Sequence, residues 1–408
     1  MAGIEEFIDW RDESDQRQEG GLNGVFLSPL RQTPSAQPDK TGVIKAYEKR
    51  MARSKRNRLL QLIPDMLLYT GLLWCWRFLN RKKLTVLMVH GVVDENARQR
   101  WMPLWERLSL QHFDRVIGLL SKYYHFVSLD EAAQMLAGRQ PMKPYSMVLT
   151  FDDGYQNNLT YAGPVLKKHA IPAIIYLATG YINKTSPFWI DRLDYALQSV
   201  EFREREFLIA DKPVRISATD RNEFQETYKA LRIQAKAVQR SDEAMLRELN
   251  ALAEGLENES GKKLADIMAD DDWAGLMQWD GIKQSLADGL SFGAHTVDHT
   301  RLEFVSLDVA QQQINDSRQD IETQLNQACD HFCYPNGSYN AEVVELVRAG
   351  GFRTAMTSDN GLNQAGDDLL TLKRVPFPVH TSSGWILAEV SGLIAFLSRL
   401  SALLSRKS

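Results

Sequence analysis

Two adjacent carboxylates, Asp152 and Asp153, stand in the stretch Thr150-Phe151-Asp152-Asp153-Gly154, and two imidazoles, His295 and His299, stand four residues apart further along the chain. Neighbouring carboxylates repel each other and cost roughly several kcal/mol per ion to desolvate. The same Asp-Asp-Gly stretch also serves as an ordinary turn with a helix N-cap, so on its own it leaves both readings open. Histidines four apart can converge on one side of a turn, and imidazole suits zinc and its first-row neighbours. Two histidines with one carboxylate would leave positions for water and substrate, which is how a catalytic metal is held.

Strand tips must carry these groups. Tyr145 to Leu149 is a short apolar run that reads as a buried strand, and Gln156 to His169 resumes at helical spacing, so the aspartates fall where a strand gives way to a helix. In α/β folds ligands bind at such tips. Strand-like runs recur at Leu84 to His90, Phe126 to Leu129, Ile171 to Ala178, Leu290 to Ala294, His331 to Tyr334, Thr354 to Thr357 and Leu370 to Val375, with helical periods between most of them. Alternation at this spacing implies parallel pairing. The expected fold is therefore α/β, a distorted (β/α) barrel of about seven parallel strands. Residues 190–275 are highly charged with a helical period and no strand-like run, and are expected to be a helical insertion.

The ends read differently. Residues 1–45 are rich in Gly, Pro, Ser, Asp and Gln, as in a mobile extension. Residues 46–83 hold a basic run, Lys49 to Arg58, then an apolar segment that contains Pro64, Asp65 and Arg77, too charged for a clean membrane span. Residues 381–408 space Ile386, Val390, Leu393, Leu397, Leu400 and Leu404 by three and four, as in an amphipathic helix. Each terminal segment either packs on the protein or lies on a membrane surface, and a peripheral membrane contact stays open. The chain opens on an acidic, polar stretch without an apolar core, so no cleavable signal peptide is expected, and a cytoplasmic or membrane-associated protein is, with a signal anchor to the periplasm left open. A net charge of −4 with one short basic run argues against nucleic acid as a partner. Three irregularly spaced cysteines, Cys75, Cys329 and Cys333, make no disulfide framework.

The set Thr-Phe-Asp-Asp-Gly at 150–154, His-Thr-Val-Asp-His at 295–299 and Phe332-Cys333-Tyr334-Pro335-Asn336-Gly337 resembles the polysaccharide deacetylases, the NodB-homology or carbohydrate esterase family 4 domain, over residues 84–380. The resemblance implies a hydrolase that removes N-acetyl groups from the amino sugars of a glycan with a divalent metal, commonly zinc. By position it makes Asp152 the general base that activates metal-bound water, Asp153, His295 and His299 the metal ligands, and the backbone N–H of Asn336 an oxyanion donor, with Tyr334 beside it. Three departures accompany it. Cys333 stands where the family has an arginine that holds the base. Arg374 is either its replacement or an arginine that contacts substrate or solvent. The tryptophan of the fourth motif is missing around Ser358 to Gly361, and the expected Leu-x-His is met only by Pro378-Val379-His380, which makes His380 the candidate general acid. His90, at the tip of the first strand, reads as structural. A deformylase or deacetylase of a lipid-linked sugar, and an inactive carbohydrate-binding module, are the alternatives.

Overall fold

The computed structural model describes residues 63–94, 100–104, 108–238 and 241–405. The expected N-terminal extension and the basic run at Lys49 to Arg58 lie outside the described residues.

The described residues include twelve strands: β1 (Thr85–Val89), β2 (Val92–Val93), β3 (Leu108–Ser109), β4 (His125–Phe126), β5 (Ser146–Phe151), β6 (Ala173–Leu177), β7 (Glu204–Ile209), β8 (Lys212–Ser217), β9 (Leu290–Ala294), β10 (His331–Cys333), β11 (Thr354–Asn360) and β12 (Leu372–Pro376). Seven of them close a parallel barrel in the order β1, β12, β11, β10, β9, β6, β5, with β5 pairing back onto β1 in register from Thr85 opposite Met147 to Val89 opposite Phe151. β4 adds to the N-terminal end of β5. Every residue of β5 and β6 is buried, which fits their unbroken apolar runs, because a parallel strand is covered by side chains inside and helices outside.

The helices are α1 (63–69), α2 (Leu72–Leu79), α3 (Leu110–Leu120), α4 (Leu129–Leu136), α5 (Gly163–His169), α6 (Trp189–Ser199), α7 (Arg221–Val238), α8 (Asp242–Ser260), α9 (Trp279–Ser285), α10 (Leu307–Leu325), α11 (Ala341–Ala349), α12 (Ser383–Val390) and α13 (Leu393–Ser405). Many start where a side-chain oxygen accepts from the first turn. Ser109, Ser128, Ser241, Ser306, Asn340 and Ser382 cap α3, α4, α8, α10, α11 and α12 in this way. One continuous core of Leu, Ile, Val and Phe joins the barrel to these helices, and a second, formed by α6, α7, α8, β7 and β8, sits under the insertion.

The structure corrects two sequence expectations. The insertion is not wholly helical, since β7 and β8 form an antiparallel hairpin whose buried residues include Phe207, Ile209, Val214 and Ile216. Its tip, Ala210-Asp211, takes left-handed φ of 49° and 61°, so the turn lacks the Asn-Gly or Asp-Gly signal that announces such hairpins. The C-terminal segment is two helices bent by 71° rather than one, broken at Gly392 with φ 75°. The apolar stretch before the barrel is likewise split at Gly71, φ 80°. No single helix among the described residues is long and apolar enough to cross a membrane.

Candidate active site

The C-terminal tips of β1, β5, β9 and β10 converge. Asp152 follows β5 directly and its N–H donates to the Val89 carbonyl at 2.9 Å, so β1 fixes the turn that presents it. Asp153 and Gly154 then take φ of 78° and 88°, a left-handed pair that turns the chain. His295 follows β9, its N–H held by the Leu177 carbonyl at the end of β6 at 2.9 Å. Gly293, two residues earlier, admits no side chain: a Cβ there would lie 2.7 Å from the His331 carbonyl oxygen and from Tyr176. Thr296 and His299 are also left-handed, at φ 62° and 56°. Such strain outside glycine persists only where the surroundings over-determine it.

The two aspartates differ in their partners. Asp152, 2% exposed, is held by Arg374 on β12, whose Nη1 donates to Oδ1 at 2.7 Å and to Thr150 Oγ1 at 3.2 Å while Nε donates to the Thr357 carbonyl at 2.8 Å. The Cys333 Sγ lies 3.7 Å from the same oxygen as a weak donor. Burial alone would raise the pKa of Asp152, but the charge of Arg374, then His295, the Arg374 hydrogen bond and His90 outweigh it and hold it below the usual aspartate value. Burial raises the Cys333 thiol, so it stays protonated. The other oxygen, Oδ2, lies 3.9 Å from His90 Nε2, whose side chain is 40% exposed.

Asp153 faces the histidines instead. Its Oδ1 is 3.5 Å from His295 Nε2 and 3.4 Å from His299 Nε2, and it is a buried acceptor without a hydrogen-bond partner among the described residues. His295 Nδ1 meets the Cys333 carbonyl at 2.7 Å, which orients the ring with Nε2 turned to Asp153. Burial would raise Asp153, yet the two imidazoles hold it well below the ordinary range. Donors about 2.0–2.2 Å from a tetrahedral zinc sit roughly 3.3–3.6 Å apart, so the observed separations and the orphaned oxygen fit a divalent metal. Asp152, His295 and Cys333 also offer donor atoms close together. That trio is the poorer holder, because Arg374 already occupies Asp152 and would repel a cation.

The remaining sequence candidates are placed as follows. Arg374 does not face a substrate; it is buried as the partner of Asp152. Tyr334 is fully buried, its hydroxyl donating to the Leu370 carbonyl at 3.0 Å and its ring stacked on Tyr339, so it is a core residue. Asn336, with φ 54°, lies in the loop after β10, where its Oδ1 accepts from Lys236 Nζ at 2.6 Å. His380 is not drawn into the cluster. The chain leaving β12 turns outward over α3, with the Pro378 carbonyl on His112 and the Thr381 carbonyl on Arg115, and the His380 ring stacks on Trp385.

His90, which the sequence reads as structural, and Cys333, which it reads only as a missing arginine, both border the cluster, and Lys236 is the residue that the sequence reading did not single out. His90 had the same signal as Asp152, a polar residue at a strand tip. Lys236 had none, being one of many charges on α7. The segment between β6 and α6 also sets Phe188 edge-on to His299 at 5.9 Å and Tyr181 stacked on Phe188 at 4.1 Å, an aromatic wall beside the cluster.

The profile of the family described as "Polysaccharide deacetylase" matches residues 139–355. Over 85 residues, 21% of this chain and 12% of the relative, the sequence is 34% identical to the poly-beta-1,6-N-acetyl-D-glucosamine N-deacetylase of Escherichia coli (strain K12). A 94-residue stretch is 26% identical to YxkH of Bacillus subtilis (strain 168), so the chain spans about a third or less of either relative. Among solved structures, Streptococcus pyogenes deacetylase PplD in complex with acetate is 19% identical with TM-score 0.48, covering 76% of this chain and 98% of that one. IcaB from Ammonifex degensii is 19% identical with TM-score 0.47, covering 76% and 97%.

Proposed function

This chain belongs to the polysaccharide deacetylase family, and from that premise we propose that it hydrolyses the N-acetyl amide of an amino sugar within a glycan, with Asp152 as base and a divalent metal held by Asp153, His295 and His299. The observation that supports this most is the division of labour between adjacent carboxylates, one tied to Arg374 and the other turned to two imidazoles. Zinc is the proposed metal, since two imidazole nitrogens and one carboxylate oxygen form a three-ligand set with an open fourth position. When bound, it would acidify water and polarise the amide carbonyl.

The chain's own groups account for the proton movements. Asp152 Oδ1 is occupied by Arg374, so Oδ2 takes the proton from the attacking water. The water oxygen bonds to the carbonyl carbon while the C=O π pair moves onto the carbonyl oxygen, and the C–N bond breaks as that pair returns, giving acetate and, with a proton on nitrogen, a free amine. The leaving nitrogen needs a proton, and His90 is the proposed donor, because its ring lies 3.9 Å from Asp152 Oδ2 and remains open to the mouth. The Asn336 N–H is the proposed oxyanion donor, a role worth about 3–4 kcal/mol in comparable acyl-transfer sites. Phe188 and Tyr181 would exclude water from one side. The Escherichia coli relative acts on poly-β-1,6-N-acetyl-D-glucosamine, and a polymer of N-acetylated sugar is the proposed substrate class here.

An inactive binding module is disfavoured by the Asp152–Arg374 pair, since binding sugar requires no buried charge pair and desolvating one is costly. A peripheral membrane contact is part of the same proposal, supported by the apolar side chains that α2 and α13 expose. The test of the carboxylate roles is a pair of variants. Asp152→Asn is expected to bind one equivalent of zinc and release no acetate from N-acetylglucosamine oligomers, whereas Asp153→Asn loses the zinc. Acetate release by Asp152→Asn at the wild-type rate would remove Asp152 as the base.

A further inference from the structure

Exposed large apolar side chains concentrate on three helices that pack outside the barrel. Met66 and Tyr69 on α1, Leu72, Phe78 and Leu79 on α2, and Phe396 on α13 all project outward, Tyr69 at 88% and Leu79 at 75% exposure. The helices form one platform, since Trp76 packs on Phe396 with ring centres 5.0 Å apart and its Nε1 donates to the Ser391 carbonyl at 3.0 Å. Contiguous apolar patches of this kind mark interaction sites.

Beside the platform, between α2, α13 and the loop after β11, is a cavity of about 280 Å³. Three cations line it, Lys83, Lys373 and Arg399, against one acid, Asp367, whose Oδ2 already accepts from the Gln364 N–H at 3.0 Å. Neither Lys83 nor Lys373 makes an ion pair among the described residues. Arg81 and Lys82 immediately precede, so a cationic rim borders the apolar platform although the whole chain carries −4.

We propose that this platform docks on a bilayer containing anionic phospholipid, with the apolar side chains of α1, α2 and α13 in the interface and the Lys83–Lys373–Arg399 cavity on a lipid phosphate. Amphipathic helices with cations at their edge bind such surfaces by buried apolar area together with attraction to anionic headgroups. A second copy of the chain is the poorer occupant, because a symmetric contact would bring like cations together.

The position of the platform sets the orientation. α2 leads through Lys83 into the N-terminal end of β1, where the Thr85 hydroxyl donates to the Val390 carbonyl at 3.0 Å, whereas Asp152, His295 and His90 lie at the C-terminal tips. Docked in this way, the catalytic mouth points away from the bilayer. This second part rests on the deacetylase reading and favours a glycan reaching the site from the water phase over a sugar held at headgroup level.

Flotation of the full chain with vesicles tests the docking without reference to activity. Binding is expected to vesicles of phosphatidylcholine with one quarter phosphatidylglycerol and not to phosphatidylcholine alone. Lys83→Gln and Lys373→Gln should each weaken it about fivefold, the factor for roughly 1 kcal/mol per cation near the surface, and Leu79→Glu should abolish it. Cys75, the exposed cysteine on α2, carries a fluorophore for the orientation. Spin-labelled lipid should quench it, and should not quench a label at Val379→Cys in a Cys75→Ser background. No flotation of the full chain, flotation untouched by the three variants, or self-association in place of vesicle binding would overturn the docking. Equal quenching at both labels would overturn the orientation alone.

Discussion

Replacing Arg374 by methionine separates positioning of the base from mere packing. The guanidinium is 2% exposed and gives Asp152 a 2.7 Å charge-assisted bond, besides its bonds to Thr150 and Thr357. Removing one partner of a buried pair costs about 3–5 kcal/mol when the other charge is left behind. The carboxylate can avoid that cost by taking a proton, so its pKa rises once the guanidinium is gone. A carboxylate with a lowered folded pKa contributes stability above its unfolded pKa and loses it as pH falls, so the variant should also lose the share of the acid decline in stability that Asp152 carries. The assay is the pH profile of kcat/KM for acetate release. The acidic limb is expected to move to higher pH than in the wild type, with Arg374→Lys intermediate because one ammonium cannot reproduce the three-point fork. A folded Arg374→Met protein whose profile keeps its shape, whether at full or uniformly reduced rate, would refute this account of Arg374.

His90→Gln should lower kcat by roughly 10²–10⁴-fold, while His380→Ala stays within about twofold in the same acetate assay; the reverse order would return the acid role to His380. Asp194, whose oxygens accept from the Leu104 N–H at 2.7 Å and from Gln198 at 2.5 Å, is pushed up to about 8 by burial. A raised folded pKa means that the folded state binds more protons between about pH 4 and 8, so stability falls as pH rises, by up to about 1.4 kcal/mol per unit. Asp194→Asn should remove that slope in urea unfolding followed from pH 5 to 8, and an unchanged slope would contradict it.

The barrel was legible because buried parallel strands read as short apolar runs, and Ile171 to Ala178 or Leu290 to Ala294 could hardly be anything else. The aspartates and histidines were legible for a related reason, their places at the ends of such runs. What escaped was set by contacts remote in sequence. Arg374 and Asp152 lie 222 positions apart, and no local pattern says that β12 stands beside β1, which in turn borders β5. The hairpin β7–β8 escaped because Glu204, Arg205, Glu206 and Arg215 mask its alternation and Ala-Asp replaces the usual turn pair. His380 misled because Pro378-Val379-His380 was the nearest approach to the expected Leu-x-His, whereas the backbone after Phe377 turns away over α3.

Acetate release from N-acetylglucosamine oligomers, followed in protein stripped of metal and then titrated with zinc, bears most directly on the central claim. The account predicts no release from the stripped protein and full recovery at one zinc per chain, with Asp153→Asn unable to recover. Release that survives complete stripping, or recovery in Asp153→Asn equal to wild type, would contradict it.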